Sequence, residues 1–130
     1  MLGDHDSMTT LAVKDLDAAR GFYEGTLGFS PKMENEEGIV YGAGRGAFFV
    51  YRSTFAGTNQ ATAMSFQVAG DAFDGEVAAL RDKGISFSTF DAPGITWNDG
   101  VATMGDGGEY KSAWFNDPDG NILNVETGMG

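Results

Sequence analysis

The chain has 130 residues, of which 42% are hydrophobic and 12% aromatic, so it can bury the core of one folded domain but has no room for two. Its formal net charge of −11 disfavours binding to nucleic acid or to an anionic membrane surface, because like charges repel. The sequence has no cysteine, no apolar run of membrane-spanning length and no signal-peptide pattern, so we expect a cytoplasmic protein.

The first half of the sequence predicts a strand, a helix and three further strands. Residues 8–13 alternate in the way a half-buried strand does. Asp15 is a natural N-cap for a helix whose apolar residues recur at three-to-four spacing as far as Leu27, and Gly28 is expected to end it. The strands predicted to follow are 29–33, 38–41 and 47–52.

The second half repeats this order of elements. Residues 63–68 alternate, Asp71 can cap a helix that runs through Val77, and Gly84 is expected to end that helix. The strands predicted to follow are 85–90, 102–104, 111–115 and 122–126, with a glycine-rich turn at 105–108.

A strand, a helix and further strands, repeated at about half the chain length, are typical of a duplicated half-domain. The fold class predicted is α+β, with two βαβββ modules that form a curled, mostly antiparallel sheet. We expect a single domain over residues 1–130, with module one at about 8–55 and module two at about 60–127.

Three segments resemble the vicinal oxygen chelate superfamily of glyoxalase, bleomycin-resistance and extradiol-dioxygenase proteins. Residues 11–29 are similar to the opening strand and helix of these proteins, and residues 66–84 are similar to the strand and helix of their second module. Residues 115–123 contain an Asp-Pro-Asp-Gly-Asn turn and resemble the closing hairpin. The resemblance covers essentially the whole chain, and it implies a cup of sheet with the helices outside.

In the enzymes of that superfamily, two histidines and two Glu or Gln side chains hold a divalent metal in the cup. The resemblance places three of these positions on Met8, Ala63 and Asn124, and the fourth within residues 48–52, where no His, Asp, Glu or Gln occurs. Thioether, methyl and amide groups are poor ligands for such an ion or no ligands at all. The single histidine, His5, lies in a polar N-terminal stretch, so we predict neither a metal nor another cofactor.

Strand alternation predicts which side chains face the cup. Met8, Thr10 and Ser65 lie at the alternate strand positions that face the cup. Leu11 and the other residues at the intervening positions pack under the helices. A large ring in a glycine-flanked loop, Trp97, favours stacking on a ligand. The candidate ligand-binding residues are Met8, Thr10, Phe49, Tyr51, Phe55, Ser65, Phe90, Trp97, Met104, Tyr110, Trp114 and Asn124.

An aromatic cup without metal ligands resembles the bleomycin-resistance branch, whose members bind a drug as dimers and withhold it. The resemblance implies metal-independent binding and sequestration of a bulky, partly aromatic small molecule by a homodimer. Two alternatives stay open. One is an enzyme of natural-product metabolism, either metal-free and using Glu126, Glu109 or Tyr110, or with displaced metal ligands, although no spacing identifies a catalytic residue. The other is an accessory domain without a ligand.

Overall fold

The structure is a computed structural model that describes residues 1–105 and 107–127. It contains two compact units, the first made of residues 1–59 and 118–121 and the second of residues 60–105, 107–117 and 122–127. Residue 106, within the turn predicted at 105–108, and residues 128–130, at the end of the predicted domain, lie outside the described residues. The single-domain organisation stays a prediction.

The first unit is built on a four-stranded sheet in the order β1-β4-β3-β2. Strands β1 and β4 are parallel, and the other neighbours are antiparallel. The elements in chain order are a 3₁₀ turn Leu2–Asp4, β1 Thr9–Val13, α1 Leu16–Arg20, a π-helical segment Gly21–Thr26, β2 Pro31–Glu34, β3 Gly38–Ala43 and β4 Gly46–Arg52.

The predicted helix forms, but it is not one regular α-helix. Asp15 caps it as expected, because its side chain accepts the backbone N–H groups of Asp17 and Ala18 at 2.8 and 3.3 Å. The helix then changes from α-helical to π-helical hydrogen bonding at Gly21, which the apolar spacing does not reveal. Gly28 follows it with a φ of 81°, the left-handed conformation that glycine adopts most readily.

The core of the first unit lies on one face of its sheet. The side chains of Leu11, Val13 and Val50 are fully buried there, which confirms the parity predicted for β1. Aromatic rings complete this core, with the Tyr23 ring 5.6 Å from that of Phe48, centroid to centroid. The first sheet therefore has one apolar face covered by the rest of its unit and one face with smaller or less buried side chains.

The second unit is built on a five-stranded sheet in the order β5-β9-β8-β7-β6, in which only β5 and β9 are parallel. Helix α2 packs on β9. The elements are β5 Thr62–Val68, α2 Phe73–Asp82, β6 Thr96–Asn98, β7 Val101–Met104, β8 Tyr110–Asn116 and β9 Ile122–Thr127.

Two predictions for the second unit are wrong in detail. The predicted strand 85–90 is reduced to one isolated bridge, in which the Ser88 N–H donates to the Trp114 carbonyl at 2.8 Å. The alternation in this segment reflects side-chain packing, since the Phe87 ring meets a buried ring of β8 edge-on, rather than a ladder of backbone hydrogen bonds. Asp71 does not cap α2, because the helix begins one residue later with Ala72 at the N-cap and no side-chain hydrogen bond there.

A strand also occurs where a loop was predicted. Residues Thr96–Asn98 pair with β7 through a two-residue turn at Asp99 and Gly100, whose φ values are 51° and 80°. Two successive positive φ values give the tight turn that joins adjacent antiparallel strands. The α+β class and the repeated strand–helix–strands order are confirmed. Among the described residues, no helix has the length and apolar character needed to cross a membrane.

The close approach at Gly38 gives a test of the first sheet. A Cβ at this position would lie 2.6 Å from the Phe49 ring and would also collide with the Val50 carbonyl oxygen. We expect Gly38→Ala to lower the free energy of unfolding by about 1–3 kcal/mol, because the strand pair cannot accept the extra methyl group without shifting. Urea denaturation measures the change.

Gly25 supplies the matched control. It lies in the π-helical segment, and a Cβ there would meet nothing within 4 Å. Gly25→Ala should therefore be neutral or stabilising by up to about 1 kcal/mol, since alanine restricts the unfolded chain. Equal stabilities for the two variants would contradict the packing described at Gly38.

Candidate ligand-binding site

The second sheet has two chemically different faces. Strand pairing sets Ser65, Asn124 and Trp114 side by side on one face, in a row across β5, β9 and β8. The next residues along the strands, including Leu123 and Phe115, point to the opposite face and are fully buried. We call the first of these the open face. Its strand residues are Thr62, Ser65, Gln67, Trp97, Ala102, Met104, Tyr110, Ser112, Trp114, Asn116, Ile122, Asn124 and Glu126.

Three rings pack together at this face and form what we call the aromatic cluster: Phe90, Trp97 and Trp114. The Phe90 ring meets the Trp97 ring at 5.2 Å and 76°, and the Trp114 ring at 5.0 Å and 75°. The centroids of the two indoles lie 6.0 Å apart. Edge-to-face pairs of this kind are favourable arrangements. The cluster keeps accessible ring surface, because Phe90 is 47% exposed and both tryptophans are half-buried.

The two tryptophans are held in different ways. Trp114 lies on an interior strand, and its Nε1–H donates to the Thr62 Oγ1 at 3.1 Å. Trp97, which was predicted in a loop, lies on edge strand β6 opposite Ala102. The small Ala102 side chain leaves space for the Trp97 indole to contact the rings of Phe90 and Trp114. One of these rings is therefore anchored by a hydrogen bond, and the other by ring contacts.

Asn124 lies directly opposite Trp114 on the open face and is only 2% exposed. Its Nδ2 donates to the Ser112 Oγ. Its Oδ1 is the one buried side-chain nitrogen or oxygen atom without a hydrogen-bond partner among residues 1–105 and 107–127. A polar acceptor therefore lies unpaired beside the aromatic cluster.

The other predicted site residues of the second unit are more dispersed. Met104 and Tyr110 form a cross-strand pair at the far end of the open face. Glu126 shares this face and accepts a hydrogen bond from Gln67. Glu109 does not lie on a strand, and its carboxylate accepts the Gly107 N–H at 2.8 Å within a turn.

The predicted residues of the first unit form a smaller aromatic surface. The rings of Phe49 and Tyr51 are stacked at 5.7 Å and 6°, on the less buried face of the first sheet, and Thr10 pairs with Phe49. Met8 precedes β1 and is exposed. Phe55 does not lie on a strand, and it is 82% exposed in the turn at residues 54–57.

The register of the parallel strands selects one residue for the fourth position that the resemblance left between residues 48 and 52. Asn124 pairs with Ser65, two residues after the first-strand position of its module, Ala63. In the first unit the residue two after Met8 is Thr10, and it pairs with Phe49.

The four positions are thus Met8, Phe49, Ala63 and Asn124, which offer a single oxygen atom. That set does not fit a divalent ion, which needs several carboxylate, imidazole or thiolate ligands. Within the part of the chain that the structure describes, no three His, Cys, Asp or Glu side chains are placed to hold one elsewhere.

A charged network in the first unit has a structural role. The Tyr41 hydroxyl donates to Glu24 at 2.8 Å, and Arg20 bridges Glu24 and Glu34 at 2.9 and 3.0 Å. Burial, followed by the hydrogen bond to Glu24, raises the pKa of Tyr41. The hydrogen bond to Glu34 is the main cause that raises the pKa of Arg20. Both shifts favour the protonated forms of Tyr41 and Arg20, which are the forms already present at neutral pH. Neither group is therefore suited to proton transfer at neutral pH.

Sequence reasoning missed a basic cleft in the first unit. It has a volume of about 470 Å³ and is lined by Lys14, Arg52, Ser53 and Thr54. The signal was available, because Lys14 follows β1 and Arg52 ends the parallel neighbour β4. Asp119 lies beside this cleft and accepts the Lys14 backbone N–H at 3.0 Å. Its charged lining is unlike the aromatic face.

The two strand–helix–strands modules define an α+β protein built from a repeated unit. A comparison of the sequence with family models identifies its family. Residues 7–125 match the model of the Glyoxalase/Bleomycin resistance protein/Dioxygenase superfamily, so the chain belongs to that superfamily. The resemblance drawn from the sequence motifs is therefore confirmed. No curated protein matches the sequence significantly.

Solved structures share the fold at low sequence identity. The fosfomycin resistance protein FosX from Mesorhizobium loti has a TM-score of 0.67 and 15% identity, with 97% of this chain and 93% of that chain covered. A glyoxalase family protein from Enterococcus faecalis has a TM-score of 0.70 and 19% identity, with 97% and 99% covered. FosX from Listeria monocytogenes, complexed with Mn(II) and sulfate, has a TM-score of 0.67 and 13% identity, with 96% and 90% covered.

The placement of the aromatic rings predicts unequal costs of truncation. Phe115 is 1% exposed, so Phe115→Ala should lower the free energy of unfolding by about 3–5 kcal/mol. Trp97 is half-buried on an edge strand and has two ring contacts, so Trp97→Ala should cost only about 1–2 kcal/mol. Chemical denaturation of both variants checks this. A cost for Trp97 as large as that for Phe115 would mean that its ring is part of the core.

Proposed function

We propose that this protein binds and sequesters a bulky, partly aromatic small molecule, with neither a metal nor a chemical step. The observation that supports this most directly is the aromatic cluster, in which three rings pack against one another while part of their surface stays accessible. A flat ligand ring can stack on such a surface.

The energetics of this surface suit an apolar or cationic ligand. Burial of apolar area contributes about 25 cal/mol per Å², and each additional ring contact contributes about 0.5–1.5 kcal/mol. The net charge of −11 disfavours an anionic ligand and favours a neutral or cationic one. A cation above an indole face gains further stabilisation. The stacked Phe49 and Tyr51 rings of the first unit supply a second surface of the same chemistry.

The metal-independent part of the proposal rests on the four positions described above. FosX from Listeria monocytogenes binds Mn(II) in its solved complex, whereas this chain carries Met8, Ala63 and Asn124 at three positions where the family resemblance places metal ligands, and Phe49 at the fourth by strand register. A metal-free enzyme is the second candidate function. It is favoured by Glu126, the one carboxylate among the described strand residues of the open face, which accepts a hydrogen bond from Gln67.

A thermal-shift screen separates these functions. Polycyclic and glycopeptide antibiotics are tested in parallel with Zn(II), Fe(II), Ni(II) and Mn(II). We expect the melting temperature to rise with at least one aromatic compound and to stay unchanged with each metal, because only binding to the native state stabilises it. One metal per subunit by elemental analysis, together with an activity lost on chelation, would establish a metalloenzyme instead.

A compound found in this way allows the aromatic cluster to be tested directly. Trp97→Ala should weaken its binding by about 1–3 kcal/mol, as expected for a stacking anchor. Phe55→Ala is the comparison variant, because its ring is exposed in the turn at residues 54–57 and is not part of the aromatic cluster, so the affinity of this variant should stay unchanged. Isothermal titration calorimetry measures both affinities. Unchanged binding in the Trp97 variant would contradict stacking on this cluster.

The proposal includes a cytoplasmic homodimer. Closed two-fold pairs are the commonest soluble assemblies, and relatives of the bleomycin-resistance type bind ligands as dimers. Multi-angle light scattering should give twice the mass of the 130-residue chain at micromolar concentration. A monomer across that range would remove the dimer from the proposal and leave the aromatic face unaffected.

A further inference from the structure

The unpaired oxygen of Asn124 is the starting point. Its side chain is 2% exposed, and the amide makes one hydrogen bond, to Ser112. A desolvated polar atom without a partner destabilises a fold, and such atoms are rare in native proteins. The neighbouring buried positions of the same strand, Leu123 and Val125, carry hydrocarbon side chains that incur no such cost. We therefore expect the Asn124 oxygen to have a hydrogen-bond donor that does not belong to the described residues.

The incomplete pairing of Asn124 does not depend on how the amide is oriented. A serine hydroxyl both donates and accepts, so Ser112 can pair with either end of the amide. Exchange of Oδ1 and Nδ2 would only move the unpaired atom from an acceptor to a donor. In the structure the end that pairs is Nδ2, and the end left over is Oδ1.

The position of Asn124 relates this oxygen to the aromatic cluster. Trp114 is its direct cross-strand neighbour on β8, and Ser65 is its neighbour on β5. Side chains directly opposite one another in a sheet have Cβ atoms about 4.5–5.5 Å apart. A ligand ring that packs on the cluster thus lies next to the Asn124 side chain, and the groups that cover its Oδ1 must move aside for a substituent of the ligand to reach it.

We propose that the Asn124 Oδ1 accepts a hydrogen bond from an N–H or O–H group of the ligand whose ring packs on Phe90, Trp97 and Trp114. This inference rests on the proposed function and narrows its ligand class to flat aromatic compounds that carry a hydrogen-bond donor on or next to the ring. Asn124 then acts as a specificity-determining residue. A ligand without the donor leaves the buried oxygen unpaired, which is how a polar site rejects a close analogue.

Indole and benzofuran form a matched pair of probes, because they have the same bicyclic shape and only indole has an N–H. The chain has two tryptophans, so the two indole Nε1–H signals of a ¹⁵N-labelled sample report binding at the cluster. In the wild-type protein we expect indole to bind about fivefold more tightly than benzofuran, the factor that corresponds to one neutral hydrogen bond.

Two variants assign that preference to Asn124. Asn124→Leu keeps the size of the side chain and removes its oxygen, so the two probes should bind within about twofold of each other. Its melting temperature without probe should not fall, because the unpaired atom is gone. Ser112→Ala removes the hydroxyl that accepts a hydrogen bond from the Asn124 Nδ2 and leaves the Asn124 oxygen in place. The preference for indole should therefore persist. This second variant keeps the test valid if Asn124→Leu does not fold.

The outcomes separate the two proposals. Equal binding of indole and benzofuran to the wild-type protein would overturn the role of Asn124 and leave aromatic binding intact. A preference for indole that survives in Asn124→Leu would also overturn it, since another group would then be the acceptor. If neither probe moves either tryptophan signal at millimolar concentration, the proposed function itself fails.

Discussion

The two-sided character of each sheet is the constraint on which the rest of the structure depends. Along β9 the buried apolar side chains of Leu123 and Val125 alternate with Asn124 and Glu126. A shift of one residue in the pairing would expose the apolar pair and bury the charged carboxylate, so the core fixes the register. In the first unit, Leu11 and Val50 fix the pairing of the parallel strands β1 and β4 in the same way. The side chains on the opposite face of each sheet are therefore positioned by residues of the core.

The dependence of strand register on the buried core determines what could be predicted from the sequence. Alternation on β1 and β5 identified the apolar face, and local chemistry identified the cap at Asp15 and the helix end at Gly28, because each follows from a few adjacent residues. The closing position of the first module could not be assigned, since it depends on pairing between residues about forty apart. Only the observed pairing of Thr10 with Phe49 supplies it.

Apart from the cap predicted at Asp71, the errors of prediction lie in the segment between α2 and β7. An alternating run at residues 85–90 and a tryptophan between two glycines predicted a strand followed by a loop. The structure has a single bridge at Ser88 followed by a three-residue strand that contains Trp97. Short strands carry too few residues for alternation to be read, and their pairing depends on the turn that joins them. The Asn-Asp-Gly sequence at residues 98–100 is the available signal for that hairpin, because Asp-Gly favours the positive φ values of a two-residue turn.

The construction of the aromatic cluster has a consequence for how it would bind a ligand. Trp114 lies on an interior strand and is held by a hydrogen bond, whereas Trp97 lies on a three-residue edge strand and Phe90 on a segment with one backbone bridge nearby. Segments with few backbone hydrogen bonds open at a lower free energy than interior strands do. The cluster thus combines one fixed ring, beside the buried amide of Asn124, with two rings whose backbone can adjust. Recognition of a hydrogen-bonding group needs the fixed part, because its geometry is narrow, and the adjustable rings can accept aromatic bodies of different size. A site built in this way would be selective for a polar group and tolerant of the ring system that carries it.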